Sequence, residues 1–165
     1  MIIDIFFVFS RRPLADKTID IGNVRSFPAR SVKQLTLNAV FYFPRSSDPS
    51  VNAPPIRRIT PVRVFVVNDP TEGILVLFAR DPQSGCRLVH ELKDPIDPAF
   101  RRRARELGAV FEDPCHGDLF SYTGVRLDGP AQRGMDQFGV RRGPTGEVIV
   151  QLTDFQLGPA SPRSS

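Results

Sequence analysis

The sequence predicts an all-β, antiparallel fold carrying one short helix. Short runs rich in β-branched and aromatic residues alternate with turn chemistry, and a single segment carries both a helix start and a helix stop. The runs are Gln34 to Phe43, Val62 to Val67, Gly73 to Ala79, Leu88 to His90, Gly139 to Arg141 and Glu147 to Leu152. Between the second and third lies Asn68-Asp69-Pro70-Thr71-Glu72-Gly73, so those two strands should form a hairpin. Gly143-Pro144-Thr145-Gly146 supplies the turn before the last strand. Pro44 to Pro61 contains five prolines and reads as a long exposed loop, either solvated or an interaction arm.

The helix follows from local chemistry. Asp97 can cap, Pro98 suits the first turn, residues as far as Leu107 include good helix formers, and Gly108 stops it. Arg101, Arg102, Arg103 and Arg105 give it a basic face. Such a face is a solvated surface or a docking patch for an acidic partner or lipid head groups. No aromatic stacking platform accompanies the arginines, which argues against nucleic acid as a partner.

Composition bounds the rest. A chain of 165 residues fits one domain and buries about 70% of its unfolded surface. Thirteen phenylalanines supply large apolar side chains where tryptophan is absent, and a net charge of +4 is only mildly basic. Ile2 to Phe9 is apolar but short and broken by Asp4, whereas a membrane-spanning helix needs about 20 apolar residues. Arg11-Arg12 follows that run instead of preceding it, unlike a secretory signal. An edge strand or a strip that pairs with another chain fits better, and the Pro- and Ser-rich tail should be disordered or extended.

Two six-residue stretches carry the chemistry. Asp113-Pro114-Cys115-His116-Gly117-Asp118 is followed by Leu119-Phe120, by Gly124 and by Gly129-Pro130-Ala131-Gln132-Arg133. Asp81-Pro82-Gln83-Ser84-Gly85-Cys86 lies upstream. Together they resemble the two cluster boxes of Rieske iron–sulfur proteins, Cys-Pro-Cys-His-Gly-Ser and Cys-Thr-His-Leu-Gly-Cys, of the respiratory bc type. The resemblance covers roughly residues 20 to 154.

By this resemblance the family's two iron-binding thiolates fall on Asp81 and Asp113, and its two iron-binding imidazoles on Gln83 and His116. Its bridging disulfide falls on Cys86 and Cys115, and its proline loop on Gly129, Pro130 and Ala131. A serine and a tyrosine that hydrogen-bond the cluster sulfurs correspond to Asp118 and Phe120. The fold implied is a Rieske-like antiparallel β-sandwich of stacked sheets. It divides into an N-terminal extension (1–19), the domain (20–154) with a cluster-binding-like part over about 80–133, and a disordered tail (155–165). The interval between the boxes is longer than in the family and holds the inserted helix.

A two-iron cluster is assembled on thiolates, with histidine on one iron in the Rieske variety. Carboxylate and amide oxygens are hard donors suited to magnesium, calcium or manganese. With Asp81, Gln83 and Asp113 at three of four positions, and both cysteines of the chain at bridging positions, the 2Fe-2S cofactor is expected to be lost. The four residues should converge, and two close buried carboxylates require a proton, a charged His116 or a cation. No nucleophile or oxyanion donor accompanies them, so a catalytic set is not expected. His90 is outside the ligand positions and reads as a strand residue.

Three readings follow. The first is a cluster-free structural or assembly subunit of a larger, membrane-associated electron-transfer complex, peripheral to the membrane and without a spanning helix of its own. The second is an electron-transfer protein holding a 2Fe-2S cluster through unusual ligands. The third is a mononuclear metal site at Asp81, Asp113 and His116. A formed disulfide implies an oxidising, extracytoplasmic face. Two reduced cysteines in a cytoplasmic protein are the alternative.

Overall fold

The computed structural model describes residues 17–44, 56–90 and 98–161, with backbone alone over 56–60. Among the described residues, two antiparallel sheets contain ten strands. The large sheet comprises β1 (Thr18–Asn23), β2 (Val32–Phe43), β3 (Ile56–Asp69), β4 (Gly73–Phe78), β9 (Gln137–Arg142) and β10 (Glu147–Gln156). Its strand order is β1-β10-β9-β4-β3-β2. The small sheet is a meander of β5 (Val89–His90), β6 (Phe111–Glu112), β7 (Leu119–Phe120) and β8 (Arg126–Asp128). The all-β, antiparallel expectation holds, and all six strands read from the sequence form.

Strand β3 explains how two sheets share one layer. Successive strand side chains point to opposite faces. Val62, Val64 and Val66 therefore enter one core with Phe41, Val76 and Phe138, while Phe65 and Val67 enter another with Leu77, Phe111 and Phe120. Because both faces are covered there, Val64 to Val67 is apolar without alternation. The rings of Phe65 and Phe111 stack with centroids 4.6 Å apart, locking the small sheet onto the large one. Tyr122 adds a polar tie, its hydroxyl donating to the carbonyls of Ser31 and Asn68 at 3.1 and 2.9 Å.

The hairpins end as the turn residues require. Asp69 pairs with Gly73 across the β3–β4 turn, and Arg142 with Val148 across the β9–β10 turn. Asp69 Oδ1 accepts the backbone N–H groups of Thr71 and Glu72, each at 2.8 Å, closing the first turn. The helix α1 (Pro98–Leu107) starts at the expected proline and ends just before Gly108. Its expected cap, Asp97, lies outside the described residues.

Three expectations need correction. The proline-rich segment is partly strand: Ile56 to Pro61 belong to β3 and pair with Asn38 to Phe43, leaving Arg45 to Pro55 outside the described residues. A proline at an edge-facing position is compatible with such a ladder. Residues 155–161, in the tail expected to be disordered or extended, are ordered. Phe155 and Gln156 complete β10, Gly158 N–H donates to Asp136 Oδ1 at 3.0 Å, and Ala160 bridges Arg133. Strands β1, β6, β7 and β8 were not predicted; three of them span only two or three residues, too few for a period to show. The apolar N-terminal strip, residues 2–9, lies outside the described residues.

Candidate functional site

The two boxes fold into the same turn twice. The first closes a narrow hairpin between Ala79 and Leu88, and the second closes the β6–β7 hairpin. In the first, Asp81 N–H donates to the Cys86 carbonyl at 2.7 Å and Gly85 N–H to the Asp81 carbonyl at 2.9 Å. In the second, Asp113 N–H donates to Asp118 at 2.8 Å and Gly117 N–H to Asp113 at 2.9 Å. Each loop's fifth residue adopts a left-handed conformation, Gly85 at φ +72° and Gly117 at φ +83°, which explains glycine at both.

The leading aspartates organise these loops from inside. Asp81 Oδ1 accepts from Gln83 N–H at 2.9 Å and from the Ser84 N–H and hydroxyl at 2.6 and 2.9 Å. Asp113 Oδ1 accepts from Cys115 N–H at 2.8 Å. Where the family resemblance places thiolates, carboxylates thus satisfy loop amides that would otherwise be orphaned.

The sulfurs of Cys86 and Cys115 are bonded, with Cα atoms 6.5 Å apart, joining the two loops side by side. The Gly129-Pro130-Ala131 segment is tied to the second loop: Ala131 N–H donates to Asp118 Oδ1 at 2.6 Å. Gly129 is in the left-handed region at φ +101°, and a Cβ there would lie 2.6 Å from Asp118 Cα, so only glycine permits the approach. Helix α1 flanks the second loop, with a Phe100 ring carbon 3.5 Å from where a Gly117 Cβ would sit. Its basic face is partly engaged: Arg103 pairs with Asp128, and Arg101 faces the buried Glu112. His90 sits in β5 with its ring 5.8 Å from that of Phe111.

Of the four residues expected to converge, Asp81 lies beside Asp113 and Asp113 beside His116, while Gln83 stays apart. Asp81 and Asp113 do meet, buried at 3% and 0% exposure, but their third companion is Asp118 at 1%. One carboxylate oxygen from each lies within 4.8 Å of the others. Gln83 is exposed, because its backbone is turned inward toward Asp81. His116 stands at the rim, its side chain 52% exposed and its Nδ1 3.1 Å from Asp113 Oδ2. Ser84, Arg133 and Asp136 complete the surroundings. Arg133 pairs with Asp136 and donates to the Pro82 carbonyl at 3.2 Å, and burial lowers the guanidinium pKa while Asp81 opposes that shift. A cleft of about 380 Å³ opens between Asp81, Ser84, Arg133, Phe43 and Phe155.

Three buried carboxylates outnumber the cations beside them. Burial raises the Asp118 pKa from 3.8 to about 6, aided by Asp81 and Asp113 and opposed by the Ala131 amide. Asp81 Oδ2 is buried and receives no donor from its neighbours. A proton on Asp118 would supply one. The sequence signal for this trio was present in the repeated Asp-Pro-x-x-Gly pattern at 81–85 and 113–117, which marks two equivalent turns.

No family model and no curated protein matches the chain. Among solved structures it is similar to the plasma-membrane Rieske protein PetC3 of the cyanobacterium Synechocystis PCC 6803, at 20% identity and a TM-score of 0.46, over 80% of this chain and 97% of that one. The donor set does not suit a two-iron cluster, which is assembled on thiolates. Both leading positions offer carboxylate oxygens, one on each engaged by loop amides, and both sulfurs are consumed in one disulfide.

Proposed function

We propose that this chain is a Rieske-like domain that has lost its 2Fe-2S cluster and serves as a structural or assembly subunit of a larger electron-transfer complex at a membrane. The observation that carries this reading is the pair of disulfide-clamped loops. Two turns of the same form lie side by side with a third loop hydrogen-bonded to the second, and carboxylates fill the space and satisfy the loop amides, as expected of a cluster cradle whose cluster has gone. A scaffold kept in order without its redox donors is suited to holding neighbours in place. The disulfide favours placement on an oxidising face. Among the described residues no helix is long and apolar enough to cross a membrane, so attachment would be peripheral or through partners. Candidate contact surfaces are the exposed Arg102 and Arg105 on α1, and Leu107 and Val125, exposed at 38% and 47%.

The test is iron and acid-labile sulfide analysis of the purified chain with its visible spectrum, alongside native electrophoresis of membranes from cells carrying a tagged copy. The reading expects neither iron nor sulfide, no visible absorption, and co-migration with a complex. A brown sample with stoichiometric iron and sulfide and a paramagnetic reduced state would establish the electron-transfer alternative instead.

A further inference from the structure

One cluster of donors is independent of that reading. Cys86, Cys115, His116 and Asp113 each place one ligand-type atom within 4.8 Å of the others. Two sulfurs, an imidazole and a carboxylate are each ligand types that zinc binds, and together they number the four of a tetrahedral site. His116 Nδ1 and Asp113 Oδ2 are 3.1 Å apart. Two ligands bound at about 2.0 Å on one tetrahedral ion are separated by about 3.3 Å, so this pair already has nearly the required edge.

The disulfide is what occupies the sulfurs. Cys115 is exposed and Cys86 is half-buried at the surface, so a reductant reaches the bond from solvent. Two zinc-bound sulfurs at about 2.3 Å lie about 3.8 Å apart. With Cα atoms at 6.5 Å, that separation follows from rotation of the cysteine side chains while both loops stay in place. The loops do not depend on the sulfur bond for their shape, since each is closed by its own aspartate and backbone hydrogen bonds. Behind Asp113, the buried carboxylates of Asp81 and Asp118 add negative potential that favours a cation at the rim.

We propose that the two loops form a redox-gated zinc site: reduction of Cys86–Cys115 yields a thiol pair that, with His116 and Asp113, binds one Zn²⁺ and replaces the covalent clamp with a metal clamp. A dithiol donates two electrons and two protons and closes to its own disulfide, while the Cys86–Cys115 bond breaks to two thiols. Zinc then displaces both thiol protons to solvent.

The full chain, oxidised or reduced with a phosphine and desalted under argon, is titrated with Zn²⁺ against a chromophoric chelator and separately with Co²⁺. The expected result is one zinc per reduced chain and none on the oxidised chain, with cobalt giving tetrahedral visible bands and a thiolate charge-transfer band. His116→Ala, which leaves the disulfide and the buried loop contacts intact, should weaken zinc binding at least about tenfold. Cys86→Ser should remove the two-sulfur cobalt signature. Amide-resolved NMR reports folding in every state. A folded reduced chain that takes no zinc overturns the proposal. So does a reduced chain that unfolds and is not restored by zinc. Equal zinc binding by the oxidised chain also overturns it, and transfers the site to Asp81, Asp113 and Asp118.

Discussion

Replacing Asp118 with Asn tests whether the buried carboxylates are in electrostatic conflict. Asp118 is 1% exposed and its pKa is raised from 3.8 to about 6, chiefly by burial and then by Asp81 and Asp113. The folded chain therefore holds this proton more tightly than the unfolded one. For a raised carboxyl, stability is greatest below the ordinary value, falls as pH climbs from about 4 to about 6, and is flat above. Two pH units correspond to about 3 kcal/mol. Asp118→Asn keeps an oxygen for the Ala131 N–H, mimics the neutral acid in shape, and removes the titration. The variant should match the parent at pH 4 and exceed it by about 2–3 kcal/mol at pH 7, which corresponds to about 5–10 °C in melting temperature. Urea and thermal unfolding of both proteins across pH 4 to 8, disulfide intact and with a chelator present, measure this difference directly. A difference that does not change with pH, or an asparagine variant less stable at pH 7, would refute the argument.

Other perturbations discriminate the remaining contacts. Reducing the disulfide, which joins residues 29 apart, should lower stability by roughly 3–4 kcal/mol in urea unfolding, unless zinc is supplied. Gly129→Ala forces a side chain against Asp118 and strains a left-handed backbone, so calorimetry should show a loss of about 2 kcal/mol or more. Phe111→Ala removes a fully buried ring stacked on Phe65 and should destabilise by about 3–5 kcal/mol, whereas Arg102→Ala on the exposed helix face should stay within about 0.5 kcal/mol.

Local chemistry made most of the framework readable. Strands β2, β3, β4, β9 and β10 are long enough for β-branched runs to show, and both large-sheet hairpins carry turn residues with a specific conformational reason to be there. The helix was bounded by Pro98 and Gly108 for the same reason. The two boxes could be found because each needs a fixed order of small, rigid and polar residues within six positions, and the cysteine pairing that the family resemblance implied is formed.

Other features depended on residues meeting from distant parts of the chain. Strands of two residues form only because neighbouring strands and the Phe65–Phe111 stack hold them, so no periodic signal betrays β6 or β7. Residues 157–161, Leu-Gly-Pro-Ala-Ser, carry no strand or helix pattern, and hydrogen bonds to the backbone of 132–136 and to the Asp136 carboxylate hold them in place. Gln83 and His116 are expected to converge with the two aspartates; His116 reaches Asp113 from the rim and Gln83 lies outside, because the aspartates bind the loop amides and take the interior themselves. Residue order within each box settles which six-residue turns exist and which donor atoms they own. Which of those atoms meet depends on the folded hairpins, because burial and loop closure act on the whole hairpin, and Asp118 enters the centre by virtue of ending a turn whose first residue is Asp113.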